Sequence, residues 1–344
     1  MKINQILFTK PFLAEYVEKG EVDLSKINET SVVVKTMVST ISPGTEKANY
    51  IGEKRVTADS NKIAPFPRVP GYASCGEVVF VGNAVKNFSV GDRVVVSNFL
   101  GNHVSYVTVK ENDLIKIPDG VSFEEASISF IATFPLAGLR KVKLEIGESC
   151  LIMGLGILGQ IAVKFARTMG AYPIIAVDPV EERRNMALQN GADFAFDPFN
   201  ENTISKIKEI TNGGVNTAIE VTGVGAGLDQ TLDCMKKLGR IALLGCTRNS
   251  DFTIDYYKKV HAPGITLVGA HTNARPNIES YPHYLTQSDE VVAILDLIKG
   301  GRVSLTSVIK ETHKPSDCTK VYDRLINDKN FPVGVQFDWR KENE

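Results

Sequence analysis

The sequence predicts an α/β protein built in two styles: a strand-rich, barrel-like first part and a doubly wound parallel sheet after it. Three observations predict this. Runs of Val, Thr and Ile, broken at short intervals by Gly and Pro, fill roughly the first 125 residues. From near Ser122 onward, strand-like and helix-like segments alternate, the pattern of a parallel sheet covered on both faces. Where the alternation begins, a glycine-rich turn, MGLGILGQ, joins a strand to a helix. A chain of 344 residues is long enough for about two such domains.

In order, SVVVKTMVST, GEVVFVG, DRVVVSNF and VSYVTVK read as strands, and VGNAVKNFSVGD as a turn-rich connection. SFEEASISFIATFPLAGLRKV reads as a helix, with Ser122 as N-cap and Glu125 as its capping-box partner. SCLIMG is a short apolar strand. ILGQIAVKFARTMG places Ile157, Ile161, Phe165 and Met169 on one helical face and stops at Gly170. YPIIAVD is the next strand, and PVEERRNMALQNG the next helix, opened by Pro179 and closed by Gly191. FAFD, NTAIEVTG, RIALLG and ITLVGA supply further strands. After His271 the alternation ends, leaving two amphipathic helices (SDEVVAILDLIKGGRV and PSDCTKVYDRLIND), the strand VGVQFDW and a tail, RKENE, expected to be solvated.

Composition excludes several classes. A net charge of -1 offers no electrostatic footprint for nucleic acid. No apolar run reaches the ~18 residues of a membrane span, and the N-terminus lacks a signal peptide's pattern, so no membrane partner and a cytoplasmic location are expected. Cys75, Cys150, Cys234, Cys246 and Cys318 are widely spaced, which argues against a disulfide framework or a thiolate zinc site.

The turn Gly154-x-Gly156-x-x-Gly159 has the context of a Rossmann dinucleotide site: a strand before it, a helix opening within it, and an acid, Asp178, ending the next strand. Gly154 permits the tight turn, Gly156 the approach of a pyrophosphate, and Gly159 close helix–strand packing. The helix N-terminus at Ile157 and Leu158 offers free N–H groups to phosphate. Asp178 would accept the adenosine ribose hydroxyls and repel a 2′-phosphate, favouring NAD over NADP. Glu181 and Glu182 act with it, and Arg183 and Arg184 against it. Thr222, Gly223, Gly245 and Cys246 are expected to line the same groove, Cys246 through its backbone.

PGYASCGEVVFVGNAVKNFSVGDRVVV, VSYVTVKENDLIKIPDGVSFEEAS, AIEVTG and LGRIALLG, taken with the glycine fingerprint, resemble the medium-chain dehydrogenase/reductase superfamily over nearly the whole chain. The resemblance implies a GroES-like β-barrel catalytic domain (1–125, with a C-terminal return over 271–344) around a Rossmann NAD-binding domain (126–270). It also implies a homodimer or homotetramer formed through the strand GITLVGA, from Gly264 to Ala270. In the zinc-dependent branch, metal ligands stand where this sequence has Ser42, Tyr72–Ala73 and Phe130. Those residues do not supply the three Cys, His, Asp or Glu donors a catalytic zinc needs, so no zinc is expected. SPGTEK, from Ser42 to Lys47, is similar to an S-x-G-T-E stretch in members resembling bacteriochlorophyllide and sugar or polyol dehydrogenases, which typically carry a glutamate where this chain has Ala73.

Without zinc, charge at the substrate oxygen needs preorganised donors. Tyr72, Ser42 and Thr45 are candidates, with Tyr72 either a proton donor or a packing and stacking residue; an ordinary tyrosine pKa of about 10 makes it a poor base at neutral pH. His271, after LVGA, is a candidate for substrate contact or acid–base work, or else structural. Glu46 would bind substrate hydroxyls or cap a turn. His103, in an aromatic position, reads as structural. The expected function is an NAD(H)-dependent oxidoreductase acting on an alcohol or carbonyl of a small molecule, a sugar or polyol among the candidates. The alternatives are a zinc-free enoyl or quinone reductase using NADPH, and a non-catalytic dinucleotide-binding protein.

Overall fold

The computed structural model describes residues 1–53, 65–98, 101–248, 250 and 252–343. Phe99, in the expected strand DRVVVSNF, and Glu344, in the expected tail, lie outside the described residues. The chain divides into two compact units: Met1–Ile131 with Val291–Glu344, and Ala132–Glu290.

The first unit contributes β1 (Lys2–Lys10), β2 (Leu13–Glu21), β3 (Ser31–Thr40), α1 (Pro43–Tyr50), β4 (Ser74–Val81), β5 (Arg93–Val96), β6 (Tyr106–Lys110) and β7 (Leu114–Lys116). Helix α2 (Phe123–Lys141) leads into the second unit. There β8 (Cys150–Met153), α3 (Ile157–Thr168), β9 (Ile174–Val177), α4 (Glu181–Gln189), β10 (Phe194–Phe196), α5 (Thr203–Ile210), β11 (Val215–Glu220), α6 (Gly225–Asp233), β12 (Met235–Leu243) and β13 (Thr266–Gly269) follow. Helix α7 (Gln287–Lys299) leads back to the first unit, which ends with β14 (Ile309–His313), α8 (Cys318–Asn327) and β15 (Gly334–Asp338).

In the first unit β3 is the hub. It pairs antiparallel with β4 along one side; on the other it pairs with β6 over its first half and β15 over its last. The sheet runs β14-β15-β3-β4-β5-β7, with β6 on β3. Val32, Val34, Val78 and Val94 fill one side of it. A separate aromatic cluster of Phe8, Tyr50, Tyr322 and Phe337 packs the hairpin, α1, α8 and β15 together.

The second unit carries a six-stranded parallel sheet in the order β10-β9-β8-β11-β12-β13. This is the 3-2-1-4-5-6 order of a dinucleotide-binding sheet, whose strand order reverses between its first and fourth strands. Ile161 and Phe165 of α3 are fully buried, as the periodicity requires, and Gly170 ends that helix at φ 84. β13 is the outer strand of the sheet, paired among the described residues with β12 alone, and Thr266, Leu267 and Gly269 on it are exposed. No helix among the described residues is long and apolar enough to cross a membrane.

Three expectations need correction. The unit boundaries fall at 131/132 and 290/291 rather than 125/126 and 270/271. Residues 271–290 stay with the parallel-sheet unit because polar contacts tie them to α2: Lys141 to the Ala274 carbonyl, Gln287 to Thr133 and Arg140 to Glu290. The capping box at Ser122 is half formed. Ser122 accepts the Glu125 N–H, while the Glu125 carboxylate instead accepts from the Ser304 hydroxyl and the Leu305 N–H. The tail is exposed at Arg340 but not loose: Arg340 pairs with both Asp338 and Glu124, and Glu342 accepts the Ser316 N–H.

Candidate functional site

The residues expected to bind a dinucleotide, with the substrate candidate His271, sit at the carboxyl ends of the parallel strands, Arg183 following in the first turn of α4. Across the sheet these ends come in the order Asp178 after β9, Gly154 to Gly159 after β8, Thr222 after β11, Gly245 and Cys246 after β12, and His271 after β13. Ligands of open α/β sheets lie along this edge, at the point where the strand order reverses. Here that point falls between Gly154 and Thr222.

Each glycine of the fingerprint has its own physical reason. Gly154 has φ 96, a conformation costly for other residues. A Cβ on Gly159 would stand 1.9 Å from the Gly154 carbonyl oxygen, so only glycine lets α3 pack on the turn. A Cβ on Gly156 would meet nothing within 4 Å, so protein packing does not demand glycine there. An open space beside the N-cap of α3, whose first N–H groups have no partner within the helix, is what a phosphate-bearing ligand requires. The residues present therefore fit a dinucleotide. Ile157 is buried and Leu158 half-buried, so both contribute backbone N–H groups rather than side chains.

Asp178 is more enclosed than a free ribose acceptor, at 4 % exposure. One carboxylate oxygen accepts the Leu155 N–H at 2.8 Å and the other the Val180 N–H at 2.9 Å. Each oxygen keeps a second lone pair for a ribose hydroxyl. The Arg183 guanidinium lies 4.0 Å from the same carboxylate, and Arg184 donates to the Asp178 and Pro179 carbonyls.

A second buried carboxylate, Glu220, escaped the sequence reading. It accepts the N–H groups of Thr222 and Gly223 and the Thr222 hydroxyl, and so shapes the loop after β11. Burial pushes its pKa above the usual carboxylate value, against the pull of those donors. Its position two residues before Thr222 at a strand end, in AIEVTG, was the available signal. Gly223 and Gly245 let this loop and the one before Cys246 touch: a Cβ on Gly223 would lie 2.8 Å from the Cys246 carbonyl oxygen, and one on Gly245 2.3 Å from the Gly223 nitrogen. Cys246 is exposed.

The first unit brings together the other group of candidates. Tyr72 donates to Ser42, and its ring lies 5.7 Å from that of Phe130. The three positions that the resemblance matched to zinc ligands thus converge, but with a hydroxyl, a phenol and a phenyl ring. This donor set does not fit zinc. Among the described residues, no group of three or more His, Cys, Asp or Glu is placed to hold a metal ion. Cys75 is buried nearby, its thiol on the Val38 and Phe123 carbonyls and its pKa pushed up by desolvation. Thr45 is half-buried on α1.

Glu46 is not a free substrate acceptor. At 1 % exposure it takes the Ser42 N–H at 2.8 Å, His103 Nε2 at 3.1 Å and the Tyr322 hydroxyl. His103 is fully buried, and its Nδ1 faces the Ser39 hydroxyl at 2.7 Å, which also accepts from Trp339. With a carboxylate at one end and an indole donor at the other, one proton arrangement satisfies every group. Trp339 donates to Ser39, Ser39 to Nδ1, and Nε2–H to Glu46. Of the two roles open to Glu46, the geometry selects capping the start of α1.

His271 is exposed. Its Nδ1 accepts the Asn273 N–H at 3.2 Å. Partial desolvation of the ring, then the charges of Lys141 and Arg248, hold its pKa below the ordinary histidine value.

Comparison with known proteins agrees with the fold. Residues 28–119 match the family model of the alcohol dehydrogenase GroES-like domain, and residues 158–289 that of zinc-binding dehydrogenase. The chain is 30% identical over 300 residues to L-threonine 3-dehydrogenase of Pyrococcus furiosus, covering 78% of this chain and 82% of the relative. It is 25% identical over 266 residues to D-guloside 3-dehydrogenase of Escherichia coli, covering 76% of this chain and 75% of the relative. The crystal structure of 2R,3R-butanediol dehydrogenase from Bacillus subtilis superposes with a TM-score of 0.80 at 25% identity, covering 98% of this chain and 99% of the other. The chain belongs to the medium-chain dehydrogenase/reductase superfamily and is a dehydrogenase of its NAD(P)-dependent, alcohol dehydrogenase-like class.

Proposed function

We propose that this dehydrogenase uses NAD(H) to interconvert a secondary alcohol and its ketone on a sugar- or polyol-like substrate, without a catalytic zinc. The observation that carries the reading is the line of cofactor-type residues along the carboxyl edge of the second sheet, from Asp178 to His271. Bound NAD(H) supplies or accepts the hydride. The N–H groups at the start of α3 hold the pyrophosphate, and Asp178 holds the ribose. A 2′-phosphate would bring a further charge against an enclosed carboxylate, an unfavourable contact that supports NADH over NADPH. The substrate class draws support from the relatives, which include a guloside 3-dehydrogenase.

Calorimetric titration of the chelator-treated protein tests this. NADH is expected to bind at least ~10-fold more tightly than NADPH, about 1.4 kcal/mol. Asp178→Ala is expected to narrow the gap, by weakening NADH and by removing the charge that opposes the 2′-phosphate of NADPH. A preference for NADPH in the wild-type protein would overturn the assignment of Asp178.

At the substrate oxygen, Tyr72 and Ser42 serve as a two-hydroxyl donor. In reduction, the Tyr72 hydroxyl would turn from Ser42 to donate to the oxygen as negative charge grows there, and solvent would supply the proton that completes the alcohol. Tyr72→Phe keeps the ring and removes the donor. Turnover is expected to fall on the order of 100-fold, with NADH affinity unchanged. Unchanged turnover would leave Tyr72 with only its packing role against Phe130.

A further inference from the structure

Lys141 is the last residue of α2 and is only 5 % exposed. Its ammonium donates to two main-chain carbonyls, those of Gly269 at 3.3 Å and of Ala274, and its Nζ lies 5.9 Å from the centre of the Tyr284 ring. Carbonyl dipoles offset the desolvation of an ammonium less well than a carboxylate does, so an apolar residue would fill this place at lower cost. What the charge holds is specific. Gly269 ends β13, and Ala274 closes the turn that begins at His271, its N–H donating to the His271 carbonyl at 2.9 Å. The two carbonyls therefore bracket His271. Arg275 adds a further tie, from its Nε to the Thr272 carbonyl at 2.8 Å.

Within this clamped turn the imidazole has one nitrogen committed. Nδ1 accepts the Asn273 N–H, which only the unprotonated nitrogen can do. The neutral ring must then carry its proton on Nε2. The charged groups that act on the ring are Lys141 from α2 and Arg248 from the segment after β12, and both oppose an imidazolium. Around Lys141 stand Arg275 and Glu290, and Glu290 is itself paired with Arg140 at 3.2 Å.

We propose that Lys141 is a positioning residue for the reaction: by gripping the carbonyls on either side of His271, it fixes a neutral imidazole whose Nε2–H is kept as a hydrogen-bond donor for the substrate oxygen. The inference rests on the reading of His271 as a substrate-facing group. It goes further by stating which nitrogen donates, in which protonation state, and which residue enforces it. A neutral donor stabilises negative charge growing on oxygen in the transition state and does not itself have to gain or lose a proton.

The test is nitrogen-15 NMR of the full-length, histidine-labelled protein, which has five histidines. His271→Gln identifies the resonances by their loss. In the wild-type protein, His271 is expected as the Nε2–H tautomer at neutral pH, titrating below the model-peptide value of about 6.5. Lys141→Met is expected to raise that midpoint, because a nearby like charge is gone, and to mix the tautomers as the turn loosens. Lys141→Arg, which keeps the charge, is expected to restore most of the midpoint. In turnover, Lys141→Met is expected to lower kcat more than it raises the KM for NADH, and to move the acid limb of the pH profile upward with the midpoint. A wild-type Nδ1–H tautomer, or a wild-type midpoint at or above the ordinary value, overturns the proposal without any variant. An unmoved midpoint and acid limb in Lys141→Met, whatever its stability, would make Lys141 a packing residue. Full turnover in His271→Gln would defeat the reading of His271 itself, whereas the tautomer and midpoint measurements judge the clamp separately.

Discussion

Glu46→Ala is expected to destabilise the first unit by about 3–5 kcal/mol, the cost of removing one member of a buried, hydrogen-bonded polar pair. The carboxylate is 1 % exposed and is the common acceptor for three donors: the Ser42 N–H, His103 Nε2–H and the Tyr322 hydroxyl. Alanine leaves all three without a partner in a place water does not reach, and each buried unsatisfied donor costs about 1–3 kcal/mol. The loss should lower the melting temperature of that unit on the order of 10 °C. Glu46→Gln is the informative companion. Its amide keeps one acceptor oxygen but turns an NH2 group toward donors, so it should recover only part of the loss. Scanning calorimetry reads both, because the two units need not melt together. Wild-type stability in Glu46→Ala would mean that the network contributes nothing net. A second consequence reaches the chemistry: the Ser42 N–H that Glu46 holds belongs to the residue that accepts from Tyr72. Loss of turnover beyond the loss of folded protein is therefore expected in both variants.

The second unit was legible because its signals are local. A strand, a glycine turn, a helix and an acid follow one another within the span from Cys150 to Asp178, and Gly154, Gly159 and Gly170 in it answer to backbone constraints while Gly156 leaves open space. The capping role of Glu46 was legible only as one of two alternatives, and its partners His103 and Tyr322 were not legible at all, since they lie 57 and 276 residues away along the chain. No periodicity connects residues at such separations; only the folded sheet and α8 do. The N-terminal hairpin of β1 and β2 went unread for another reason. Its turn at Pro11 and Phe12 places Phe12 at φ 61, where a Gly or Asn would have announced a hairpin. Helix α1 is a case of a signal present but read otherwise. Ser42 and Pro43 are an N-cap followed by a first-turn proline, and the same letters stand inside the family motif that points to chemistry. Both readings hold for Ser42, which starts the helix and also receives the Tyr72 hydroxyl.

Gly159→Ala is expected to weaken NADH binding by at least ~10-fold, and by more if α3 moves as a body. The added methyl group would lie 1.9 Å from the Gly154 oxygen and 2.9 Å from its carbonyl carbon, both main-chain atoms with no rotamer to escape into. Relief requires the start of α3 to retreat from the turn, which carries the free N–H groups of Ile157 and Leu158 away from any phosphate they hold. Hydrogen bonds weaken steeply over such displacements. The overpacking should also cost about 1–3 kcal/mol of stability. Gly156→Ala separates the two effects. Its methyl group meets no protein atom within 4 Å, and φ -67 at that residue suits alanine, so stability should stay within about 1 kcal/mol of the wild-type protein. NADH binding should nevertheless fall, because the space the methyl fills is the one assigned to the pyrophosphate. Calorimetric titration and thermal melting of the two variants then give different signatures, stability and binding lost together at Gly159 and binding alone at Gly156. If Gly156→Ala bound NADH as tightly as the wild-type protein, the pyrophosphate would not lie against that glycine, and the line of residues from Asp178 to His271 would no longer describe one continuous cofactor groove.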